Sequence, residues 1–419
     1  MSIRIISVRA QNKNGLGLEK AKTMTLEHLI KNKAGQATES RPYILNLSRN
    51  DDRSLMEELF KGGRIQKVVD DYESQQRELF QVENPSYVYS PEFEGKFSAY
   101  LEELQRQTPL WQQGRWAHFP WLGLLVHILE DTDFQAVRTA RNRNLINMDE
   151  QNKFYNSVIG IGGLSVGNSV ALAIALQGGG RRFRLADFDR LALTNLNRIR
   201  AGIDCLGMPK VDITARQIYL LNPYAEIELF REGLNKENIK GFFEVPPKLD
   251  VFIDELDNLA VKYLAREEAR RLRIPVVMGA DNGDNAVIDI ERYDKEPDLP
   301  FFHGRIGDLS YESLAGLDKF GIGSTIAKHI GPENTAVRMQ ESLPKMGKTI
   351  VSWPQLGGAA LLNGSAVAYC VRKILAGQPL ERNRALVSLD EKLDPAFNSQ
   401  AEQINRQEST DVFRKMLNL

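Results

Sequence analysis

Arg198, Lys210 and Asp257 are the residues of this chain best suited to chemistry. When a nucleophile attacks an α-phosphorus, charge builds on the phosphate oxygens and on the leaving pyrophosphate. Fixed cations stabilise that charge. A carboxylate can hold Mg2+ between the same oxygens. A turn upstream offers a nucleotide its seat. Gly160, Gly162 and Gly163 close the apolar run NSVIGIGG, and a helical stretch, LSVGNSVALAIALQGGG, follows. A glycine turn lets backbone N–H groups approach phosphate, and the helix N-terminus adds a favourable dipole. Asp187 ends the next strand-like run, RRFRLADFD, about twenty residues on, where an acid accepts hydrogen bonds from ribose hydroxyls. Turn and acid alone suit NAD or ATP equally. The cations decide for ATP with Mg2+, because a nicotinamide enzyme has no need of them. Asn195 and Asn197 stand beside Arg198 in the run NLNR. Asp254 lies near Asp257 and is expected to be solvated or to cap a helix.

These residues must be held by strands that alternate with helices. After NSVIGIGG and its helix come RRFRLADFD (strand), KVDITARQIYLLN (helix), AEIELF and KLDVFIDELD (strands), NLAVKYLAREEARRLR (helix) and IPVVMGAD (strand). Alternation of this kind implies parallel βαβ units. The expected class is α/β, a Rossmann-like doubly wound and mainly parallel sheet with an extra N-terminal helix-rich region. Two domains are expected, residues 1–135 and residues 136–419. The first should be helical through SLMEELFKGGRIQKVVDDYESQQRELF and FEGKFSAYLEELQRQ, with Trp111, Trp116 and Trp121 filling its core. In the second, residues 300–350 are mixed, and AALLNGSAVAYCVRKILA reads as a buried helix over the sheet.

The ordered set resembles the ThiF/MoeB/HesA superfamily, bacterial relatives of the ubiquitin-activating enzymes. The matching elements are GIGGLSVG, the pair Asp187 and Asp189, NLNR, Lys210, the LNP of Leu221–Pro223, and Asp257–Asn258. They fall within residues 139–285, and the likeness continues loosely to about residue 380. The resemblance implies adenylation of a carboxylate by ATP, giving an acyl-adenylate and pyrophosphate. It implies that Asp187 holds the ribose, that Asn195, Arg198 and Lys210 contact the triphosphate, and that Asp257 binds magnesium. It implies that Arg143, or next to it Arg141, reaches the γ-phosphate bound by a partner subunit, hence a homodimer. The substrate would be a peptide or small-protein C-terminus, such as a ubiquitin-like sulfur carrier, or a small acid. Two departures stand out: Ser165–Val166 replaces the family's usual glycine and serine, and Ile199 replaces a glutamine. A looser likeness is to bacterial ThiF-like proteins in which such a domain precedes a nitroreductase-like one, a unit this chain is expected to lack.

Composition narrows the partners. The 54 basic and 55 acidic residues leave a net charge of −1, which gives no general pull toward nucleic acid. No apolar run is long enough for a membrane span. Cys205 and Cys370 cannot build a disulfide framework or a four-cysteine zinc site, which points to the cytoplasm. Cys370 is expected in a helix core, and Cys205 is expected to be structural. His303 is expected to be structural rather than an acid–base. Gly321–Lys348 is a candidate for shaping the acceptor site, with Lys345 and Lys348 in solvent. The rival readings are an NAD-dependent oxidoreductase and a catalytically retired nucleotide-binding scaffold.

Overall fold

Two sheets organise the chain. The computed structural model describes residues 39–307, 309–380 and 383–419. The first sheet holds β1 (Tyr43–Leu45), β2 (Lys67–Val69), β3 (Arg115–Phe119) and β4 (Leu124–Ile128) in the order β1-β3-β4-β2. Helices α1 (Asn50–Lys61), α2 (Tyr72–Glu83) and α3 (Phe93–Gln107) connect its strands. Helices form at both ends of the first expected stretch and along the second, but the middle of the first holds strand β2, and the sheet was not foreseen. Of the three tryptophans only Trp116 lies in a strand, while Trp111 and Trp121 sit in the short turns on either side. Trp116 lies buried in β3 with its ring 4.2 Å from that of His127, while Trp111 is exposed. RWAHF and LLVHI place histidines at buried positions, His118 and His127. Polar residues facing inward break the alternation by which a strand is recognised.

The second sheet holds β5 (Val158–Gly162), β6 (Arg182–Ala186), β7 (Glu226–Phe230), β8 (Val251–Asp254), β9 (Val276–Asn282), β10 (Asn285–Glu291) and β11 (Arg384–Val387), in the order β11-β10-β9-β8-β5-β6-β7. β5 to β9 pair in parallel, and β10 runs antiparallel to both its neighbours. The expected α/β class and mainly parallel sheet are present. The longer of the further helices, those of eight residues or more, are α4 (Asp131–Arg138), α5 (Met148–Asn156), α6 (Val166–Leu176), α7 (Lys210–Leu221), α8 (Leu259–Leu272), α9 (Lys319–Ile330), α10 (Gly357–Leu375) and α11 (Gln400–Leu417).

Both faces of the sheet are covered at its centre, so VIGIG of β5, VFI of β8 and VVM of β9 are continuous apolar runs. Ile159, Ile161, Val251 and Ile253 pack with Val170 of α6, Val211 of α7 and Val367 of α10. Val158 and Phe252 face the other way and pack with Ala265 and Ala269 of α8. Each such aliphatic side chain contributes about 1.5–3 kcal/mol by leaving water. Ala117, Phe119 and Ile128 of the first sheet join the α6–α7–α10 face, and Thr38–Leu419 is one compact unit. The chain runs from β5 outward to β6 and β7, then returns to β8 on the other side of β5. Such a switch point opens a crevice at the carboxyl ends of the strands. Among the described residues, no helix is long and apolar enough to cross a membrane.

Candidate nucleotide site

The crevice is floored by the glycine turn. Gly160 and Gly162 lie within β5, and Gly163 follows with φ +85°. A Cβ on Gly163 would stand 2.1 Å from the Glu255 carbonyl oxygen, so only glycine fits. The Glu255 N–H donates to the Gly162 oxygen at 2.8 Å, locking β8 to the turn. Helix α6 then begins at Val166, with no side-chain cap at Ser165, so its first N–H groups lack intrahelical partners.

Asp187 follows β6 directly and is nearly buried. Its Oδ2 accepts the Leu164 N–H at 2.6 Å and its Oδ1 the Asp189 N–H at 2.7 Å. Each oxygen keeps a second lone pair for a hydroxyl donor. Burial raises the Asp187 pKa, against the Lys210 charge and the two backbone donors. Lys210 opens α7, with Nζ 2.7 Å from Asp189 Oδ2 and 4.0 Å from Asp187 Oδ2. The structure therefore brings glycine turn, Asp187 and Lys210 together.

Arg198 reaches the same turn from the loop after β6. Its Nε donates to Ser165 Oγ at 2.9 Å, and its Nη1 to the Thr194 oxygen and to Asn197 Oδ1. Ser165 thus holds the arginine against the start of α6. Ile199 is buried with Leu191, Met208 and Ile213, which explains an apolar residue after the arginine. Asn195 spends its Oδ1 locally, on the Ala192 N–H at 3.0 Å.

Asp257 is exposed in the turn after β8. Asn258 beside it caps α8, accepting from Ala260 and Val261. Asp254 corrects the expectation of a solvated or capping acid. It is fully buried, paired with Arg266 Nη1 at 2.6 Å and Lys262 Nζ at 3.0 Å. The reason is its register: as the last residue of β8 it faces α8, not the loop.

The fold agrees with what the comparisons find. Residues 139–291 match the ThiF family. The chain carries a ThiF family domain. Over 311 residues it is 36% identical to an uncharacterized protein of Mycobacterium tuberculosis, covering 73% of this chain and 43% of that one. It is 29% identical over 190 residues to the molybdopterin-synthase adenylyltransferase of Haemophilus influenzae, covering 44% and 74%. It is 35% identical over 129 residues to the tRNA threonylcarbamoyladenosine dehydratase of Bacillus subtilis, covering 30% and 49%. The alignments with the first and third relatives thus span less than half of those proteins.

Around the ThiF domain's crevice the remaining candidates separate. Arg143 is exposed ahead of α5, its Nη1 3.3 Å from the Val82 oxygen, and Arg141 is exposed too. His303 lies outside the crevice, by β10, with Nε2 3.0 Å from Asp289 Oδ1. Cys370 is buried in α10, its thiol pushed up to about 11 by burial. Burial also raises the Cys205 thiol, with Asp204 adding to it. Neither is an activated thiolate. Sequence reasoning missed Ser165 as the Arg198 anchor, and it missed Glu255 and Asp281, two carboxyls at the ends of β8 and β9.

Proposed function

We propose that the ThiF domain binds ATP with Mg2+ at the glycine turn and transfers AMP to a substrate carboxylate. The observation that carries this is the gathering of Lys210 and Arg198 around Gly163 and Asp187. Asp187 accepts from the ribose. Asn195, Arg198 and Lys210 meet the phosphates. Asp257 would hold magnesium, which would supply neutralisation of the phosphate charge. A carboxylate oxygen attacks the α-phosphorus, and a P–O bond forms. The bond to the β-phosphate oxygen breaks, and pyrophosphate leaves with the electron pair. The protein's part is to position the groups and stabilise charge.

The substrate class is a peptide or small-protein C-terminus, including a ubiquitin-like sulfur carrier, or a small acid. The name of the Haemophilus relative supports adenylyl transfer. Exposed Arg143 supports a homodimer in which each copy completes its partner's site. Residues 1–135 would select the partner, while residues 136–419 carry the chemistry, in the cytoplasm. The nicotinamide reading is not favoured, since the domain is of the ThiF family.

The test has two stages. Incubation with ATP, magnesium and cell extract, read by mass spectrometry, should yield an AMP-linked acid. That acid should then support ATP–pyrophosphate exchange, lost in Arg198→Ala and Asp257→Ala. Full exchange in both variants would sink these assignments.

A further inference from the structure

The first sheet leaves part of one face uncovered. Along β4, Leu124, Val126 and Ile128 alternate with Leu125 and His127, so the two sets point to opposite faces. Leu125 packs with Leu45 and Trp116, and His127 stacks on Trp116. The Leu124–Val126–Ile128 face looks onto a groove of about 440 Å³. Phe134 and Val137 of α4 form its second wall, and Leu220 at the end of α7 forms its third. Leu124 and Val126 stay partly exposed, so the groove is open rather than filled. Its volume lies within the range of about 300–1,000 Å³ typical of small-molecule sites.

Two charged side chains line this apolar groove. Glu78 is exposed at the rim, where water and salt screen it. Arg138 closes α4 and is partly buried. Its Nη1 donates to the Ala175 oxygen of α6 at 2.6 Å, and its Nε and Nη2 donate to Gln135 Oε1 at 3.0 and 2.7 Å. All of these acceptors are neutral. Asp131 favours the charge but is engaged with Tyr155 at 2.9 Å, Gln135 at 3.1 Å and Arg181 at 3.6 Å. Arg138 forms no ion pair among the described residues. Burial lowers its pKa, against Tyr155 and Asp131. A guanidinium has five N–H groups, so one on each Nη is left over. A charge drawn from water without a counter-ion is costly, and an anion is the group that relieves it.

We propose that this groove is a binding site, apart from the nucleotide crevice, for a small monocarboxylic acid with an apolar body. The apolar part lies against Leu124, Val126 and Phe134, and the carboxylate takes the spare N–H groups of Arg138. The charge favours this occupant over a second copy of the chain, because an apolar protein surface would cover Arg138 and leave it unpaired. The acid is not the one that would be adenylated. Arg138 holds the carboxyl end of α6, and Leu220 stands at the carboxyl end of α7. The amino ends of the same helices, Val166 and Lys210, meet the crevice about 16–18 Å away along each helix. A ligand in the groove thus touches the far ends of both helices and is out of reach of the phosphates.

Calorimetric titration of the full chain with octanoate and phenylbutyrate, each beside its primary alcohol, tests this. At least one acid should bind about 10–100-fold more tightly than its alcohol, the worth of a hydrogen bond to a charged group. In Arg138→Gln that preference should vanish. Because Arg138 also ties α4 to α6, Leu220→Glu serves as a second variant. Leu220 is 48% exposed, so the fold should persist. A carboxylate fixed in the groove should weaken the acid about tenfold or more, and the alcohol less. Equal binding of acid and alcohol overturns the proposal, as does an unchanged preference in Leu220→Glu. Displacement of the acid by Mg2+ with a non-hydrolysable ATP analogue would place it in the crevice and overturn the groove site. Failure of both acids to bind overturns it too, and if Leu220→Glu then splits a dimer into monomers, the groove belongs to a second copy.

Discussion

Arg266 and Arg198 are set close to the same end of the sheet, one beneath it and one at its open crevice. Arg266 is fully buried on α8. Its Nη1 meets Asp254 at 2.6 Å, its Nε meets Glu291 at 2.7 Å, and its guanidinium lies 3.8 Å from the Phe302 ring. Burial works against its charge, yet Glu291 and Asp254 raise its pKa. The acids are engaged in turn. Glu291 Oε1 accepts Tyr293 Oη and the Phe302 N–H, and Asp254 takes Lys262. Arg198 bonds instead to a hydroxyl, a carbonyl and an amide oxygen. Its charge is positioned by neutral partners and stays available to an anion. The contrast separates charge that holds the fold from charge that can bind.

Substitution breaks or sharpens that contrast. Arg266→Met leaves Asp254 and Glu291 buried and short of a partner. It should cost about 3–5 kcal/mol, read as a lower urea midpoint. Unchanged stability would remove the distinction. Arg198→Ala should show the reverse pattern. Its stability should stay within about 0.5 kcal/mol of the native chain. ATP–pyrophosphate exchange should fall about 10²–10³-fold, equivalent to about 2.7–4 kcal/mol. A collapse of the urea midpoint would instead group Arg198 with Arg266. Gly163→Ala tests the floor between them. At φ +85° and with a Cβ 2.1 Å from the Glu255 oxygen, alanine should cost about 1–3 kcal/mol, and the shift in melting temperature caused by ATP should shrink.

The part of this organisation that follows local rules was legible in the sequence. An apolar run ending in glycines makes β5 and its turn, and the acid closing the next run makes Asp187. Lys210 at the start of an amphipathic stretch becomes the first residue of α7. What was hidden depends on register and on distant segments. Asp254 and Asp257 are three residues apart in one short segment, yet the strand end buries the first and the turn exposes the second. Leu124, Arg138 and Leu220 come from three elements, and only the packing of the first sheet against α4 and α7 brings them to one groove. The strands of the first sheet are short, and their inward histidines mask the period. Ser165 read as a departure from a pattern, and its bond to Arg198 gives it a positive role.

The smallest effect concerns a second closed cluster, beside β10. Asp289 there meets Arg305 and Arg384, with His329 Nε2 3.9 Å away. His329 is 5% exposed, and neither ring nitrogen has a hydrogen-bond partner among the described residues. Burial lowers its pKa from 6.5 to about 3, with Asp289 opposing and Arg266, Lys262 and Arg384 assisting. The sign follows from proton counting. Between these values the unfolded chain binds a proton that the folded chain refuses. The stabilisation is therefore complete above pH 6.5 and is lost as pH falls toward 3. The limiting slope is about 1.4 kcal/mol per pH unit. Asp289, whose pKa is lowered despite burial by His303, His329 and the arginines, gives the same sign but only below its ordinary 3.8. Urea unfolding between pH 6.5 and 4.5 should thus show a slope that flattens in His329→Gln while the Asp289 contribution is still silent. If closed clusters serve the fold alone, exchange by the folded fraction should follow the same pH curve in both chains. A changed exchange profile would show that this cluster communicates with the crevice and would erase the line drawn between the two kinds of charge.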